Sequence, residues 1–107
     1  NGQYVICPLV NVEITDNNSG SSGGGFYGSG HNQLELINAT INNNTSNGNG
    51  GGIYVLPFST IHISDSDLIG NTASNGSGGG IYASAADPVL ESLIIADNQG
   101  SSGGGLY

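Results

Sequence analysis

Residues 41–54 read INNNTSNGNGGGIY, and this stretch returns along the whole chain with small variations. Its first part, aliphatic-x-x-Asn, occurs at 14–17, 41–44, 68–71 and 95–98, always 27 residues apart. Its second part, three glycines, an apolar residue and a tyrosine, occurs at 23–27, 50–54, 78–82 and 103–107, with spacings of 27, 28 and 25. A fixed internal period of this length indicates a repeat architecture. Insertions and deletions fall between the two parts, which predicts a loop there.

Short runs of alternating apolar and polar residues fill the rest of each repeat, for example LEL at 34–36 and IHI at 61–63. Such runs, broken by Asn, Ser and Gly, are typical of strands, and no segment has the 3.6-residue period of a helix. We therefore expect three short strands per repeat, around the Gly-apolar-Tyr block, around residue 35 and around residue 40.

Three strands per repeat and no helix predict a solenoid, in which each strand pairs in parallel with its equivalent one repeat away. The predicted fold is all-β, a right-handed single-stranded parallel β-helix of about four coils of about 27 residues. Its handedness follows from the rule that parallel crossovers are right-handed. Residues 1–107 form one segment with approximate repeats 1–27, 28–54, 55–82 and 83–107. Both ends cut a repeat, so we expect part of a longer solenoid or copies that stack end to end.

The register predicts rows of side chains that point into the helix. Cys7 falls in register with Leu34, so we expect a buried hydrophobe rather than a cysteine in an intermolecular disulfide. The rows are Leu9, Leu36, Ile63 and Leu90; Ile14, Ile41, Leu68 and Ile95; Phe26, Ile53, Ile81 and Leu106; and a mixed row of Val12, Ala39, Ser66 and Leu93.

These two blocks resemble the right-handed β-helix repeats of surface proteins, and in particular the chlamydial polymorphic outer-membrane protein repeat. That repeat alternates a Gly-Gly-Ala-Ile block with a Phe-x-x-Asn block in the same order and at a similar period. Here GGGIY at 50–54 stands for the first block and INNN at 41–44 for the second. Glycine replaces the alanine, and Ile or Leu replaces the aromatic residue. The resemblance covers nearly all of the chain and implies a β-helix at a cell surface.

The asparagine that ends each aliphatic-x-x-Asn block falls at a predicted corner, where Asn tolerates the left-handed conformation and bonds nearby backbone. Stacked asparagines can also bond one another, as in cross-β ladders. We therefore predict a structural asparagine ladder rather than a ligand site. The triple glycines have a structural role, because a phosphate cradle would need a following helix and a lysine. The ladder consists of Asn17, Asn44, Asn71 and Asn98.

Each tyrosine follows an inward residue and should therefore point outward, which gives an exposed tyrosine stripe. The stripe either stacks only on itself or offers rings to sugars or to a neighbouring molecule. Its members are Tyr4, Tyr27, Tyr54, Tyr82 and Tyr107.

Five segments fit the N-x-S/T pattern for N-glycosylation. Asn17 and Asn44 belong to the ladder and are poor acceptors if it is packed. If the protein comes from a eukaryote, the better acceptors are Asn43 and Asn75, in the variable loop, and Asn38, at a corner.

The acidic residues show no pattern of a catalytic or metal site. Asp65 and Asp67 flank Ser66 and would point the same way on a strand, about 7 Å apart. A hard cation, however, needs six or more oxygens, and the residues in register with Asp67 are Thr40 and Ile94. We therefore expect no enzyme activity and no cofactor.

The composition excludes several classes of partner. The 107 residues contain no Lys or Arg, 8 acidic residues and a net charge of −8. Nucleic-acid binding and polybasic membrane anchoring both need cations, and no apolar run of about 18 residues could insert into a membrane. Short uncharged side chains and uncapped coils favour self-association into a filament.

We therefore expect an extracellular or cell-surface structural protein that forms or contributes to a fibre or stalk by end-to-end β-helix stacking, with or without covalent glycans. A carbohydrate-binding or carbohydrate-cleaving β-helix domain remains an alternative, as does an adhesin or autotransporter passenger segment.

Overall fold

A computed structural model describes residues 5–28, 32–55, 60–84 and 88–107, and within these ranges every regular element is a strand. In chain order the strands are β1 (Val5–Val10), β2 (Glu13–Thr15), β3 (Asn18–Ser19), β4 (Phe26–Gly28), β5 (Asn32–Ile37), β6 (Thr40–Asn42), β7 (Thr45–Ser46), β8 (Ile53–Val55), β9 (Thr60–Ser64), β10 (Asp67–Ile69), β11 (Thr72–Ala73), β12 (Ile81–Ala83), β13 (Val89–Glu91) and β14 (Ile94–Ala96).

Four parallel sheets each take one strand from successive coils. Sheet A has the order β1-β5-β9-β13, sheet B β2-β6-β10-β14, sheet C β3-β7-β11 and sheet D β4-β8-β12. Partners in sheets A, B and C are 27 residues apart, whereas sheet D absorbs one extra residue between Ile53 and Ile81. The predicted all-β parallel β-helix is therefore confirmed. The three predicted strands form in the first three coils, whereas in the fourth coil the Gly-apolar-Tyr block makes only an isolated bridge between Leu106 and Ile81.

Sheet C is an additional element that the sequence did not predict. Its strands have two residues each, and the loop of variable length follows them rather than starting at the asparagine. The inward residues of this sheet are small, with Ser46 and Ala73 almost completely buried. A strand whose inward residue is a serine gives no apolar alternation, so the pattern that identified the other three strands was missing.

The core is a set of aliphatic rows along the axis. The registers Leu36↔Ile63, Ile41↔Leu68 and Ile53↔Ile81 align these rows as predicted. In the mixed row, Ser66 is buried because its hydroxyl donates to the carbonyl of Ser64 and accepts from the amide of Ala39. Cys7 is in register with Leu34 as expected. Its side chain lies outside the described residues, so its burial stays a prediction. The apolar side chains that are at most 1% exposed are Leu36, Ile41, Ile53, Val55, Ile61, Ile63, Leu68 and Ile81.

Left-handed residues turn the chain at three corners of each coil. In the second coil these are Asn38 between sheets A and B, Asn43 between sheets B and C, and Gly50 between sheets C and D, with φ of 53°, 57° and 67°. Glycine adopts this conformation freely, and Asn and Asp adopt it more readily than other residues. Asn, Asp or Gly accordingly occupies every such corner of the described residues except one, which is Ser92.

Candidate functional site

The asparagine ladder forms a continuous chain of hydrogen bonds along the helix axis. The side-chain oxygen of Asn71 accepts from both the backbone amide and the carboxamide of Asn44, each at 3.0 Å. The carboxamide of Asn71 donates onward to the side-chain oxygen of Asn98 at 3.0 Å, and back to the carbonyl of Ile41 at 2.8 Å. Asn17 donates to Asn44 in the same way. The two inner ladder residues, Asn44 and Asn71, therefore tie their own coils to both neighbouring coils.

The two central members of the ladder are fully buried. Asn44 and Asn71 have no exposed surface, and both side-chain donors and the side-chain acceptor of Asn71 are used. A buried carboxamide is expensive when it is unpaired and stabilising when it is fully paired. This arrangement gives the ladder a structural role, and it leaves these buried amides no free group for a ligand.

The left-handed conformation expected for the ladder asparagines belongs instead to the residue before each of them. Asp16, Asn43, Gly70 and Asp97 have φ of 59°, 57°, 71° and 55°. The turn is made one residue earlier, because the ladder side chain has to point inward at the start of the next sheet.

The ladder packs on the third glycine of the preceding coil. A Cβ at Gly52 would lie 3.1 Å from the side-chain carbon Cγ of Asn71, and one at Gly25 would lie 2.9 Å from the carboxamide nitrogen of Asn44. The two blocks of the repeat, separate in sequence, therefore meet in space. A Cβ at Gly52 would also lie 2.7 Å from the carbonyl oxygen of Gly80, so the ladder and the backbone of the next coil together leave little room for a side chain at this position.

The four described members of the tyrosine stripe stack ring on ring outside sheet D. Ring centroids are 5.1 Å apart for Tyr27 and Tyr54, 5.2 Å for Tyr54 and Tyr82, and 5.3 Å for Tyr82 and Tyr107. The interplanar angles are 21°, 9° and 8°, so neighbouring rings turn their faces towards each other. Tyr4 lies outside the described residues.

Tyr54 lies inside this stack, and burial there raises the pKa of its phenol. The negative charges that Tyr27 and Tyr82 would acquire raise this pKa further. A raised pKa in the folded state stabilises the fold fully below the ordinary tyrosine pKa of about 10 and loses that contribution as pH rises above it.

We therefore expect alkaline pH to weaken the fold through Tyr54. In a spectrophotometric titration, the last fraction of phenolate should appear above the ordinary range, and Tyr54→Phe should remove that late fraction. A Tyr54→Phe titration curve that differs from the parent only by a uniform loss of amplitude would contradict this expectation.

The acidic residues do not converge on the described surface. We expected Asp65 and Asp67 to point the same way on one strand. Asp65 instead has φ of 52° and lies at the corner before β10, so this expectation is wrong. Glu35 is in register with His62, but the Nε2 atom of His62 lies 3.6 Å from the carboxylate of Glu91. Within the four described ranges, no group of three or more His, Cys, Asp or Glu side chains is placed to hold a metal ion.

The three predicted glycan acceptors are exposed, but their surroundings differ. Asn75 lies in the variable loop as predicted, where its carboxamide donates to Asn47. Asn43 is at the corner before the ladder rather than in the loop, which corrects its expected place. The carboxamide of Asn38 donates to the side-chain oxygen of Asn11 at 2.6 Å.

We expect that, after secretion from a eukaryotic host, folded protein can carry glycans at Asn38, Asn43 or Asn75 and none at Asn44. The Asn44 side chain is fully buried and bonded to the next coil, so an attached sugar would open the ladder. Mass spectrometry of glycopeptides tests this. A folded fraction that carries a glycan at Asn44 would show that the ladder is not packed as described.

Residues 38–56 and 65–84 match the repeat described as the Chlamydia polymorphic membrane protein (Chlamydia_PMP) repeat. Each matched segment contains one ladder asparagine and the glycine-tyrosine block that follows it. Comparisons with curated proteins and with solved structures find no match. Among the described residues, no helix has the length and apolar character needed to cross a membrane. The second and third coils are thus similar to chlamydial polymorphic membrane protein repeats, a type that implies a surface or outer-membrane-associated protein.

Proposed function

We propose that this chain is a non-enzymatic structural segment of an extracellular fibre or stalk, which grows by stacking β-helix coils end to end. The observation that carries the proposal is the translational repeat of the asparagine ladder. In each of the first three coils the backbone amide and the carboxamide of the ladder asparagine donate to the side-chain oxygen of the next ladder asparagine. A further coil, of the same chain or of a second copy, finds the same bonding pattern.

Continuity between coils also supports a mechanical role. Aliphatic rows, the ladder and the stacked tyrosines all run parallel to the axis. Because every coil is bonded to its neighbours through several sheets, bending the rod would break many contacts together. A surface protein built in this way would hold whatever it carries at a fixed distance.

Electron microscopy of the chain at rising concentration tests the proposal. We expect rods of variable length whose diffraction shows an axial spacing of about 4.8 Å. Discrete particles without an axial repeat at every concentration would overturn end-to-end stacking.

A matched pair of variants makes the test specific. Gly105 is the equivalent, in the last coil, of Gly25, Gly52 and Gly80. The ladder asparagine of the next coil packs on each of those three glycines. A Cβ at Gly105 would meet only the side chain of Ile95. Gly105→Glu should therefore shorten or abolish the rods. The control Gly20→Ser changes a glycine with open space around it and should leave the rods unchanged.

A carbohydrate-binding role draws less support from the tyrosine stripe than the sequence alone indicated. A sugar that packs on a tyrosine needs an open ring face, whereas the faces of Tyr54 and Tyr82 are directed at neighbouring rings. Affinity electrophoresis in neutral polysaccharide gels distinguishes the two roles. A sugar-binding stripe would retard the chain. Tyr54→Phe would be retarded as well, because phenylalanine keeps the ring that packs on a sugar.

A further inference from the structure

We propose that the stacked tyrosines are a site of oxidative cross-linking, at which neighbouring phenols of successive coils couple to dityrosine within one molecule. The ring geometry inside a single chain carries this inference, so it is independent of whether copies associate. The co-reactant is a one-electron oxidant, such as a haem peroxidase that has itself been oxidised by hydrogen peroxide.

The first requirement of such coupling is proximity. Tyr27, Tyr54, Tyr82 and Tyr107 form three consecutive pairs with ring centroids 5.1 to 5.3 Å apart. Holding two reacting groups together replaces a bimolecular encounter by an intramolecular one, at an effective concentration far above that of the dissolved protein. The backbone register keeps the first two pairs together, because Tyr27↔Tyr54 and Tyr54↔Tyr82 are paired positions in sheet D. The bridge between Ile81 and Leu106 lies beside the third pair.

The second requirement is access for the oxidant. Ile53 and Ile81 point into the core, so alternation along the strand sends the neighbouring tyrosines outward. Tyr27 is 52% exposed and Tyr107 is 56% exposed, while Tyr54 and Tyr82 are partly buried between rings. An outward ring presents the end that carries the hydroxyl, and the carbons ortho to that hydroxyl are the positions that couple.

The coupling reaction needs no group of the protein other than the two phenols. Each phenol loses one electron and its hydroxyl proton to the oxidant and becomes a phenoxyl radical. The two radicals form one carbon–carbon bond between ortho carbons, and the hydrogens on those carbons move to the oxygens to restore both hydroxyls. One hydrogen peroxide takes up the two electrons and two protons and gives two waters.

Coupling would tie adjacent coils together covalently on the outside of sheet D. The ladder holds the same coils together on another side of the helix. A cross-link of this kind would resist unfolding in a chain whose lone cysteine excludes an internal disulfide.

Two triple variants, each with two remaining tyrosines, test the proposal. Both share Tyr4→Phe and Tyr27→Phe. The adjacent-pair variant adds Tyr107→Phe and keeps Tyr54 and Tyr82, whereas the separated-pair variant adds Tyr82→Phe and keeps Tyr54 and Tyr107. In the second variant a ring without a hydroxyl stands between the two phenols.

The variants are treated with peroxidase and hydrogen peroxide at low protein concentration. The readouts are dityrosine fluorescence of the monomer band and the loss of two hydrogens in a mass-mapped cross-linked peptide. We expect the adjacent pair to couple within the monomer with a yield at least about tenfold above the separated pair. Urea should abolish this difference, since it removes the stack.

Equal monomer yields from the two variants in the folded state would overturn the proposal. Coupling found only in dimers and larger species would overturn it as well, because that would place the reactive pair between molecules. Circular dichroism of both variants before oxidation confirms that each is folded, and a third variant that keeps Tyr27 and Tyr54 repeats the adjacent case at another coil if either one is not.

Discussion

Replacing Asn71 by alanine should destabilise the protein by about 3–5 kcal/mol, from the unpaired buried groups and the small void it leaves. The side-chain oxygen of Asn71 receives two hydrogen bonds from Asn44, and its carboxamide serves Ile41 and Asn98. Alanine would leave the backbone amide of Asn44 and the carbonyl of Ile41 without these partners inside the helix. Domains of this size have a free energy of unfolding of only about 5–15 kcal/mol, so the loss would be large.

Urea unfolding followed by circular dichroism measures this effect, and Asn17→Ala is its matched control. Asn17 belongs to the same ladder but is exposed, and the Asn44 oxygen would keep its bond from the Asn17 backbone amide. We expect this control to cost less than about 1 kcal/mol. Equal losses from the two substitutions would mean that burial of the ladder does not contribute as described.

Replacing Gly51 by alanine should be as damaging, for a steric reason. A Cβ at Gly51 would lie closer than 3.0 Å to backbone atoms of Thr72 and Gly79 in the next coil. Backbone cannot rotate away as a side chain can, so the two coils would have to separate locally. Overpacking of this kind costs typically 1–3 kcal/mol, and we expect about 3 kcal/mol or more here because both neighbours are backbone.

Gly20→Ala supplies the comparison for the steric effect, measured by the same urea unfolding. Nothing lies within 4 Å of a Cβ built at Gly20. Its stability should stay within about 0.5 kcal/mol of the parent or rise slightly, since alanine restricts the unfolded chain. A Gly51→Ala variant as stable as Gly20→Ala would show that the coils are not in such close contact at the glycine block.

Much of this architecture follows from the spacing of a few residue types. The 27-residue period places Ile14, Ile41, Leu68 and Ile95 in one row, and the structure pairs them in that register. A parallel solenoid has a simple relation between sequence distance and spatial neighbour, because equivalent residues of successive coils become partners. The aliphatic rows, and the register of the tyrosines, could therefore be predicted.

The details that escaped prediction depend on backbone conformation and small inward residues. The left-handed residue at the ladder corner is Asn43 rather than Asn44, a choice between neighbours of the same type that composition cannot make. Asp65 alternates with Asp67 in sequence but stands at a corner, so the alternation rule fails there. The contact between Gly52 and Asn71 joins two blocks of the repeat that belong to different coils, and no pattern within one repeat contains it.

In-register stacking of parallel coils is the central claim, and nuclear Overhauser contacts between backbone protons of the labelled chain test it most directly. The structure predicts amide-to-Hα contacts between residues 27 apart, including Leu36 with Ile63 and Ile41 with Leu68. It predicts further contacts at a separation of 28 between Ile53 and Ile81. Strong Hα-to-Hα contacts between these segments, the mark of antiparallel pairing, would contradict the account.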